Sequence, residues 1–331
     1  MATVISTYTK ASDIPTWMLD TLNHHGHRAN VILPNIEKFK KSPPKSGQLW
    51  IAYASEQKLE HMIAVTDGPM GPYPAFIFTT KPLATLHDPS LTAQMSELAQ
   101  TLKANINVRR IYSVFAAEPI CTVFCRIWTE LTGICTEKRP YPYYDSLSSF
   151  CTRETLRLDD PRPVSGYEFF PRLARNSDIE MVALMCQGFA HDSEPFVLDH
   201  NRARDEAKYL VKNGLVWVCM GRDNDMDGYE VASIVACTRN TEKVATITKV
   251  YTPNEWRGKG CAGRLVHHVC KELLDSGKDA IALYVGINNP ARRLYARTGF
   301  VGLGDHDNPV EGVERWVEYG FDRKRVDLGH W

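Results

Sequence analysis

The feature that most constrains this chain is a glycine-containing loop between an apolar run and a helical pattern. Residues 250–266 read VYTPNEWRGKGCAGRLV, with three glycines, two arginines and one lysine inside the loop. Glycine lets a backbone approach a ligand closely, and the N-terminus of a helix presents free N–H groups. A strand that enters a helix through such a loop is typical of a protein that binds a negatively charged group.

Size and charge limit what that group belongs to. The chain has 331 residues, which favours two domains, since one core rarely extends past about 250–300 residues. Lys plus Arg and Asp plus Glu both number 39, so no overall field attracts nucleic acid or an anionic membrane. We therefore expect a local anion site, with neither nucleic acid nor membrane as a partner.

Targeting and cysteine signals are consistent with a cytoplasmic protein. No run reaches the roughly 18 apolar residues of a membrane-spanning helix. The first residues, MATVISTYTKASD, lack the charged-then-apolar layout of a signal peptide. The nine cysteines are irregularly spaced, and the close pair Cys121 and Cys125 is not a C-x-x-C motif, which predicts reduced thiols.

The chain is predicted to divide near residues 156–166. This stretch, LRLDDPRPVSG, contains two prolines, two aspartates and a Ser-Gly pair, a composition typical of linkers. The predicted domains are therefore residues 1–155 and 167–331, and their elements follow similar orders.

Hydrophobic periodicity predicts strands and helices in both halves. In the first half, helices are expected over 13–27, 90–105 and 118–132, and strands over 49–54, 61–66, 75–80, 109–116 and 141–150. In the second half, helices are expected over 177–190, 201–213, 261–275 and 289–297, and strands over 215–221, 229–239, 244–252, 280–287, 300–304 and 314–321. Antiparallel strands precede a βαβα segment, so the α/β fold should contain a mixed sheet.

Two familiar nucleotide-binding motifs fit the loop poorly. The dinucleotide fingerprint needs a strand directly before the glycines and an acidic residue about 20 positions later. Here residues 253–257 separate the expected strand from the glycines, and Asn288 and Asn289 follow the next strand without a carboxylate. A P-loop needs Lys and Ser or Thr after its last glycine, but Arg264 and Leu265 follow Gly263.

A third pattern matches on two separate elements. Residues 257–262 read R-G-K-G-C-A, and residues 289–300 read N-P-A-R-R-L-Y-A-R-T-G-F. The first resembles the pyrophosphate loop of the GNAT (GCN5-related N-acetyltransferase) superfamily, [QR]-x-x-G-x-[GA]. The second is similar to its N-x-x-A-x-x-x-Y-x-x-x-G-F signature, with Ala291 one place early. The resemblance covers about 167–322 and implies a catalytic GNAT domain.

The resemblance also implies acetyl-CoA as co-substrate, without a metal. The backbone of the loop would cradle the diphosphate, and β-strand residues before it would lie along the pantetheine arm, where an N–H near Lys249 and Val250 would polarise the thioester carbonyl. Arg257, Lys259 and Arg264 would extend toward the phosphates. The expected cofactor-binding residues are Val250, Tyr251, Thr252, Arg257, Gly258, Lys259, Gly260, Cys261, Ala262, Gly263, Asn289, Arg292 and Tyr295.

The implied reaction is direct acyl transfer to an amine in a ternary complex. Tyr295 is placed by the resemblance as the general acid for the thiolate, although an aromatic at this position also fills a helix–sheet gap. Many relatives carry a glutamate base on the preceding strand, which here offers Thr246, Thr248 and Lys249. The base is left open between a water relay and the segment 191–200, where we favour Glu194 or Asp192 over His191, Asp199 and His200.

Other polar groups are weaker candidates. The histidines within residues 23–27 have no further ligand nearby for a metal. His267 and His268 fall on the polar side of a predicted helix. Cys261 has no neighbouring histidine, which argues against a nucleophilic role.

The first half resembles a degenerate copy of the same domain. Between its third strand and next helix stands KPLATLHDPS, without the R-x-x-G-x-A pattern. Tandem arrangements occur in the superfamily, and fungal small-molecule acetyltransferases have a similar length. This half is expected either to cover the acceptor site or to stabilise the other half.

The predicted function is therefore an N-acetyltransferase for a small-molecule amine. Two alternatives stay open, a protein or peptide amine acetyltransferase and a CoA-binding regulator without turnover. The sequence does not indicate an oligomeric state.

Overall fold

A computed structural model describes residues 3–42, 47–86, 89–137, 142–157, 164–193, 195–223, 227–304 and 308–330. The chain forms two compact units, the first made of residues 1–147 and 314–331 and the second of residues 148–313. The expected domains 1–155 and 167–331 stay a prediction, and residues 158–163 of the expected linker lie outside the described residues.

Among its described residues, the first unit contains seven strands, one of them in part, and four helices. They are β1 (Thr3–Tyr8), α1 (Thr16–His24), α2 (Leu33–Lys40), β2 (Leu49–Ser55), β3 (Lys58–Val65), β4 (Ala75–Thr79), α3 (Ser90–Asn105), β5 (Ser113–Ala117), α4 (Glu118–Thr132), the start of β6 (Tyr144–Thr152) and, from the end of the chain, β12 (Arg315–Gly320). The strand order is β1-β2-β3-β4-β5-β12-β6. The parallel pair is β4 with β5, and β1, β2, β3 and β12 pair with their neighbours antiparallel.

The second unit follows a similar order of elements. They are β7 (Tyr167–Leu173), α5 (Ile179–His191), α6 (His200–Lys212), β8 (Val216–Asp223), β9 (Glu230–Cys237), β10 (Val244–Tyr251), α7 (Cys261–Asp275), β11 (Ala280–Gly286) and α8 (Arg292–Thr298). The strand order is β6-β11-β10-β9-β8-β7. From β7 to β10, each strand pairs antiparallel with the next strand along the chain, whereas β10 and β11 are parallel. The predicted mixed sheet is therefore confirmed.

Alternation along β8 distributes the helices of the second unit between the two faces of its sheet. Val216, Val218 and Met220 belong to a buried cluster with residues of α5 and α6. The residues between them point the other way, and the Trp217 indole donates to Glu272 of α7 at 3.2 Å. Helices α5 and α6 therefore cover one face, and α7 covers the other.

Several predicted helices and strands differ from those of the structure, and in three cases a glycine or a proline accounts for the difference. The helix expected over 13–27 ends at His24, because Gly26 adopts φ +46°. Residues 300–304 form turns rather than a strand, with Gly302 at φ +70°. Strand β7 was not predicted, since its internal Pro171 is a residue that normally argues against a strand. Helix α2 and strand β1 were also missed.

No helix within the described ranges is long and apolar enough to cross a membrane.

Gly299 offers a test of the packing that ends α8. Its φ is +122°, and an added Cβ would lie 2.2 Å from the backbone oxygen of Thr155. Gly299→Ala should lower the free energy of unfolding by about 2–4 kcal/mol, from left-handed strain and overpacking together. Urea denaturation measures this loss.

The control is Gly277→Ala, because Gly277 has φ +102° with nothing within 4 Å of an added Cβ. This variant should lose only the free energy of unfolding that left-handed strain costs, about 1–2 kcal/mol. Equal losses in the two variants would contradict the close approach at Thr155.

Candidate functional site

Strands β10 and β11 pair for only part of their length. Their parallel ladder runs from Val244 with Ala280 to Ile247 with Leu283. Beyond that point β10 continues to Tyr251 and β11 to Gly286 without pairing to each other. Because buried backbone N–H and C=O groups need partners, the opening between these strand ends presents main-chain donors and acceptors to a ligand.

A bulge in β10 marks the point where the opening begins. The register with β9 shifts between Ile247, which pairs with Cys237, and Lys249, which pairs with Ala236. Thr248 is the extra residue, and its hydroxyl donates to the Ala236 carbonyl at 3.2 Å. A bulge bends its strand and increases the local twist. The bend therefore accompanies the separation of β10 from β11.

The loop after β10 is anchored by one buried indole. Trp256 is 3% exposed, and its Nε1 donates to the Glu230 carboxylate at 2.6 Å. Its ring packs edge-on against Tyr167 and Phe169 of β7, with centroids 6.1 and 5.8 Å away. This anchor fixes the chain immediately before the glycines.

The glycines then lead into an uncapped helix. Gly258 and Gly260 have φ +78° and +80°, a conformation that costs other residues about 1–2 kcal/mol. Gly260 is the N-cap of α7, no side chain caps this terminus, and no acidic residue occupies the first turn. The first helical bond runs from the Arg264 N–H to the Gly260 carbonyl at 3.2 Å. The preceding N–H groups thus lack helical partners and form a site suited to an anion.

Comparison with known proteins identifies this arrangement. The family model described as FR47-like protein matches residues 229–307, which run from β9 through α8. A GCN5-related N-acetyltransferase from Sphaerobacter thermophilus superposes with TM-score 0.56 at 15% identity, over 99% of this chain and 98% of that one. The chain has the GNAT fold. The fold that the resemblance of the two motifs implied is therefore confirmed.

Other GNAT structures support the tandem architecture. A tandem GNAT protein from the clavulanic acid biosynthesis pathway has TM-score 0.51 at 13% identity, over 96% of this chain and 98% of that one. A GCN5-related glucosamine N-acetyltransferase region of a fungal multi-domain β-N-acetylglucosaminidase has TM-score 0.50 at 11% identity, over 97% of this chain and 38% of that one. No curated protein matches the chain.

The three cationic side chains of the glycine loop contact neighbouring groups of the protein. Arg257 donates through Nε to the Thr252 carbonyl at 2.9 Å, and its Nη2 lies 3.6 Å from Asp192. The Lys259 ammonium lies over the Tyr167 ring, 4.4 Å from its centroid. The Arg264 guanidinium lies 5.8 Å from the centroid of the Phe169 ring. Their predicted reach toward phosphates would require these contacts to rearrange, whereas the main-chain donors are already in place.

The side chains of Tyr251, the last residue of β10, and of Thr252, the next residue, contact other elements of the second unit. The Tyr251 hydroxyl lies against Gly188 of α5, where an added Cβ would come within 2.4 Å of it. The Thr252 hydroxyl bonds to Ser233 of β9 at 2.8 Å. Any contact from Tyr251 or Thr252 with a ligand in the opening would therefore be made by the backbone.

Asn289 and Arg292 shape the start of α8. The Asn289 Oδ1 accepts from the Ala291 N–H at 2.9 Å, and the Arg292 Nη1 donates to the Ile287 carbonyl at 3.1 Å. These bonds delay the helix, which begins at Arg292 rather than at the predicted residue 289. Ligand contact by either residue stays a prediction.

Cys261 is a structural thiol. It is 1% exposed, and its Sγ donates to the Trp256 carbonyl at 3.4 Å. Burial raises its pKa, which disfavours the nucleophilic thiolate. Its side chain thus packs the first turn of α7, and a backbone contact to an anion is the role left for it.

Tyr295, the predicted general acid, is buried between α8 and the core. Its ring packs edge-on against Phe300 at 5.8 Å, and the residue is 8% exposed. Burial, and then the neighbouring Cys270 thiol, raise its pKa well above the ordinary value. The phenol therefore keeps its proton at neutral pH and can act as a donor.

The candidate bases differ in their surroundings. Asp192 follows α5, has a side chain that is 63% exposed, and faces Arg257. His191 is also exposed, with Nδ1 3.9 Å from Asp192. Glu194 lies outside the described residues. The structure thus brings Asp192 to the glycine loop.

The first unit has charged side chains after its strand β4. Lys81 contacts Glu60 at 2.9 Å and the Gln94 Oε1 at 3.2 Å. Gln94, from the first turns of α3, also donates to Glu60 at 3.0 Å. The two residues after Thr80 are Lys81 and Pro82 instead of a glycine loop, and the degeneracy of this unit stays a prediction.

Sequence reasoning missed a buried ion pair beside the bulge. Lys249 Nζ lies 2.7 Å from the Glu206 Oε1, with side chains 9% and 10% exposed. The ammonium also lies 5.0 Å from the centroid of the Phe189 ring. Two signals could have found it, a lysine inside the strand pattern VATITKVY and a glutamate beside Ala203, Ala207 and Leu210 on the apolar side of α6.

The Glu206 carboxylate favours the charged form of Lys249. Burial by itself would lower the pKa of Lys249, but the Glu206 carboxylate outweighs it and raises that pKa. A folded-state pKa above the unfolded value of about 10.4 stabilises the protein below that pH. The stabilisation should be lost as the pH rises through the folded-state pKa.

Lys249→Met should therefore be strongly destabilising. It leaves the Glu206 carboxylate buried without a cation, which costs about 3–5 kcal/mol of unfolding free energy. The double variant Lys249→Met/Glu206→Leu should recover most of the loss, because apolar replacement of a buried pair is often neutral. Urea denaturation at pH 7.5 tests both, and equal stability of wild type and Lys249→Met would refute the pair.

Proposed function

We propose that the second unit is an acetyl-CoA-dependent N-acetyltransferase acting on a primary amine of a small molecule. The observation that carries the proposal is the meeting of two backbone features. The opening between β10 and β11 leads to the uncapped N-terminus of α7 behind two left-handed glycines. A ligand with an amide-containing arm and a diphosphate matches both features.

The residues present fit coenzyme A. Backbone N–H groups of residues 258–263 would hold the diphosphate through the partial positive charge of the helix end. Main-chain groups from Thr248 to Thr252 would pair with the pantetheine amides, and an N–H near Val250 would face the thioester carbonyl. When bound, acetyl-CoA supplies the activated acetyl group.

The reaction requires two proton transfers, one from the attacking amine and one to the departing thiolate. The amine nitrogen forms a bond to the acetyl carbon as the carbon–sulfur bond breaks, and the amine loses a proton. Tyr295 would donate its proton to the departing thiolate, since its raised pKa keeps the phenol protonated. We assign removal of the amine proton to Asp192 or Glu194, directly or through water.

Two observations support a small-molecule acceptor, the balanced charge of the chain and the name of one structural neighbour. The chain carries equal numbers of acidic and basic residues, which offers no overall field for a charged macromolecule. One structural neighbour is named a glucosamine N-acetyltransferase region, and glucosamine is a small amine.

Tyr295→Phe tests the acid. The variant should lower kcat by about 100-fold or more, as expected for loss of a general acid, while the Kd for acetyl-CoA changes little. Single-turnover kinetics and calorimetry separate the two quantities. A variant with wild-type kcat would remove Tyr295 from the reaction.

Gly260→Val tests the cradle. A branched side chain at φ +80° would strain the turn that presents the N–H groups, so CoA affinity should fall by about 100-fold, or roughly 2.7 kcal/mol. Gly277→Val is the matched control, since Gly277 lies after the other end of α7 with φ +102° in open space. Equal CoA affinity of the two variants would contradict the cradle.

Thiol release with a panel of amines tests the activity itself. Acetyl-CoA should bind, and one class of small amine should release CoA above background and appear acetylated by mass spectrometry. Tight binding without release would instead favour a CoA-binding regulator. That outcome has a structural rationale, because the strand on which many relatives carry a glutamate base here offers Thr246, Thr248 and Lys249, and Lys249 is paired with Glu206.

A further inference from the structure

We propose that the buried Lys249–Glu206 pair holds the end of β10 away from β11 and so keeps the pantetheine opening formed. This inference rests on the proposed function of the second unit. It assigns a positioning role to two side chains that the proposed transfer reaction does not otherwise use.

The pair is poorly explained as a source of stability. Glu206 is surrounded on α6 by members of the apolar cluster that joins α5, α6, β8 and β9. Removing two charges from water costs several kcal/mol each, and well-packed apolar residues often serve such positions equally well. A role beyond folding would account for a charged pair at this location.

Its location is the bend in the strand. Lys249 is the first residue after the bulge at Thr248, and the Ile247–Leu283 pair is the last contact of the parallel ladder. The 2.7 Å contact between Lys249 Nζ and Glu206 Oε1 ties the bend to α6 on one face of the sheet. The bond from Thr248 to the Ala236 carbonyl ties it to β9.

Without the tie to α6, the bulge could relax. The freed end of β10 would gain backbone hydrogen bonds by extending its ladder with β11, since unpaired main-chain groups favour pairing. Such pairing would consume the donors and acceptors that the opening offers. The ion pair opposes this closure because moving Lys249 would separate two buried charges.

Glu206 is suited to positioning rather than to proton transfer. Its Oε2 is buried, and the Cys186 thiol lies beside the carboxylate. An acceptor amine cannot reach an enclosed oxygen. The role of the pair is therefore to fix the backbone, and the base must be sought elsewhere.

Binding of two probes tests the proposal without relying on turnover. ADP contains the diphosphate but lacks the pantetheine arm, whereas CoA contains both. The double variant Lys249→Met/Glu206→Leu should bind CoA about tenfold more weakly, equivalent to two lost hydrogen bonds, and should bind ADP within about twofold of wild type. Calorimetry gives both dissociation constants on folded protein.

Two further variants sharpen the comparison. Lys81→Met/Glu60→Leu removes a Lys–Glu pair with a 2.9 Å contact in the first unit and should leave the ratio of the two dissociation constants unchanged. Lys249→Arg retains the charge and should restore most of the CoA affinity. If the first double variant does not fold, Lys249→Gln/Glu206→Gln replaces the ion pair with a weaker neutral one and should shift the ratio in the same direction.

The outcomes separate this proposal from the proposed function. Wild type that binds neither CoA nor ADP would overturn the proposed function, and this inference with it. Wild type that binds both, together with an unchanged CoA-to-ADP ratio in the Lys249/Glu206 variants, would overturn the positioning role alone.

Discussion

The separation of β10 from β11 is the feature around which the second unit is arranged. Two parallel strands that could continue their ladder stop after Ile247 and Leu283, and the main-chain groups beyond that point are left for a ligand. The extra residue Thr248 changes the register with β9 while its hydroxyl bonds back to that strand. The sheet therefore stays continuous on one side of β10 while it opens on the other.

In the glycine loop, as in the opening between β10 and β11, backbone groups rather than side chains are the candidate ligand contacts. The cations that appear in the sequence to reach for phosphate instead contact aromatic rings, a carbonyl and a carboxylate. The electropositive surface is supplied by the N-terminus of α7, exposed because two glycines adopt left-handed conformations. Trp256 holds the loop through its bond to Glu230. The candidate anion site therefore consists of backbone N–H groups, and the buried Trp256 side chain holds the loop that presents them.

The two units have a similar order of elements but differ in the residues that follow the first strand of their parallel pair. Both have a parallel pair of strands connected through a helix, but after β4 the first unit has a network of Lys81, Glu60 and Gln94. Glu60 is paired with Lys81 at this point, whereas the stretch after β10 in the second unit carries glycines. The same order of elements therefore presents side chains in the first unit and backbone N–H groups in the second.

The sequence by itself determined the features that depend on neighbouring residues. The resemblance of residues 257–262 and 289–300 to two GNAT motifs predicted the fold. Glycine spacing and the helical pattern of α7 predicted the strand–loop–helix that contains the candidate anion site, because local conformation follows local sequence. Residues 300–304 misled this reasoning, since Gly299 and Gly302 turn the chain there. Only the tertiary structure decided where β10 leaves β11 and which charge meets Lys249. Glu206 lies 43 residues away in the chain, and no periodicity can specify a contact made through the packing of α6 against the sheet.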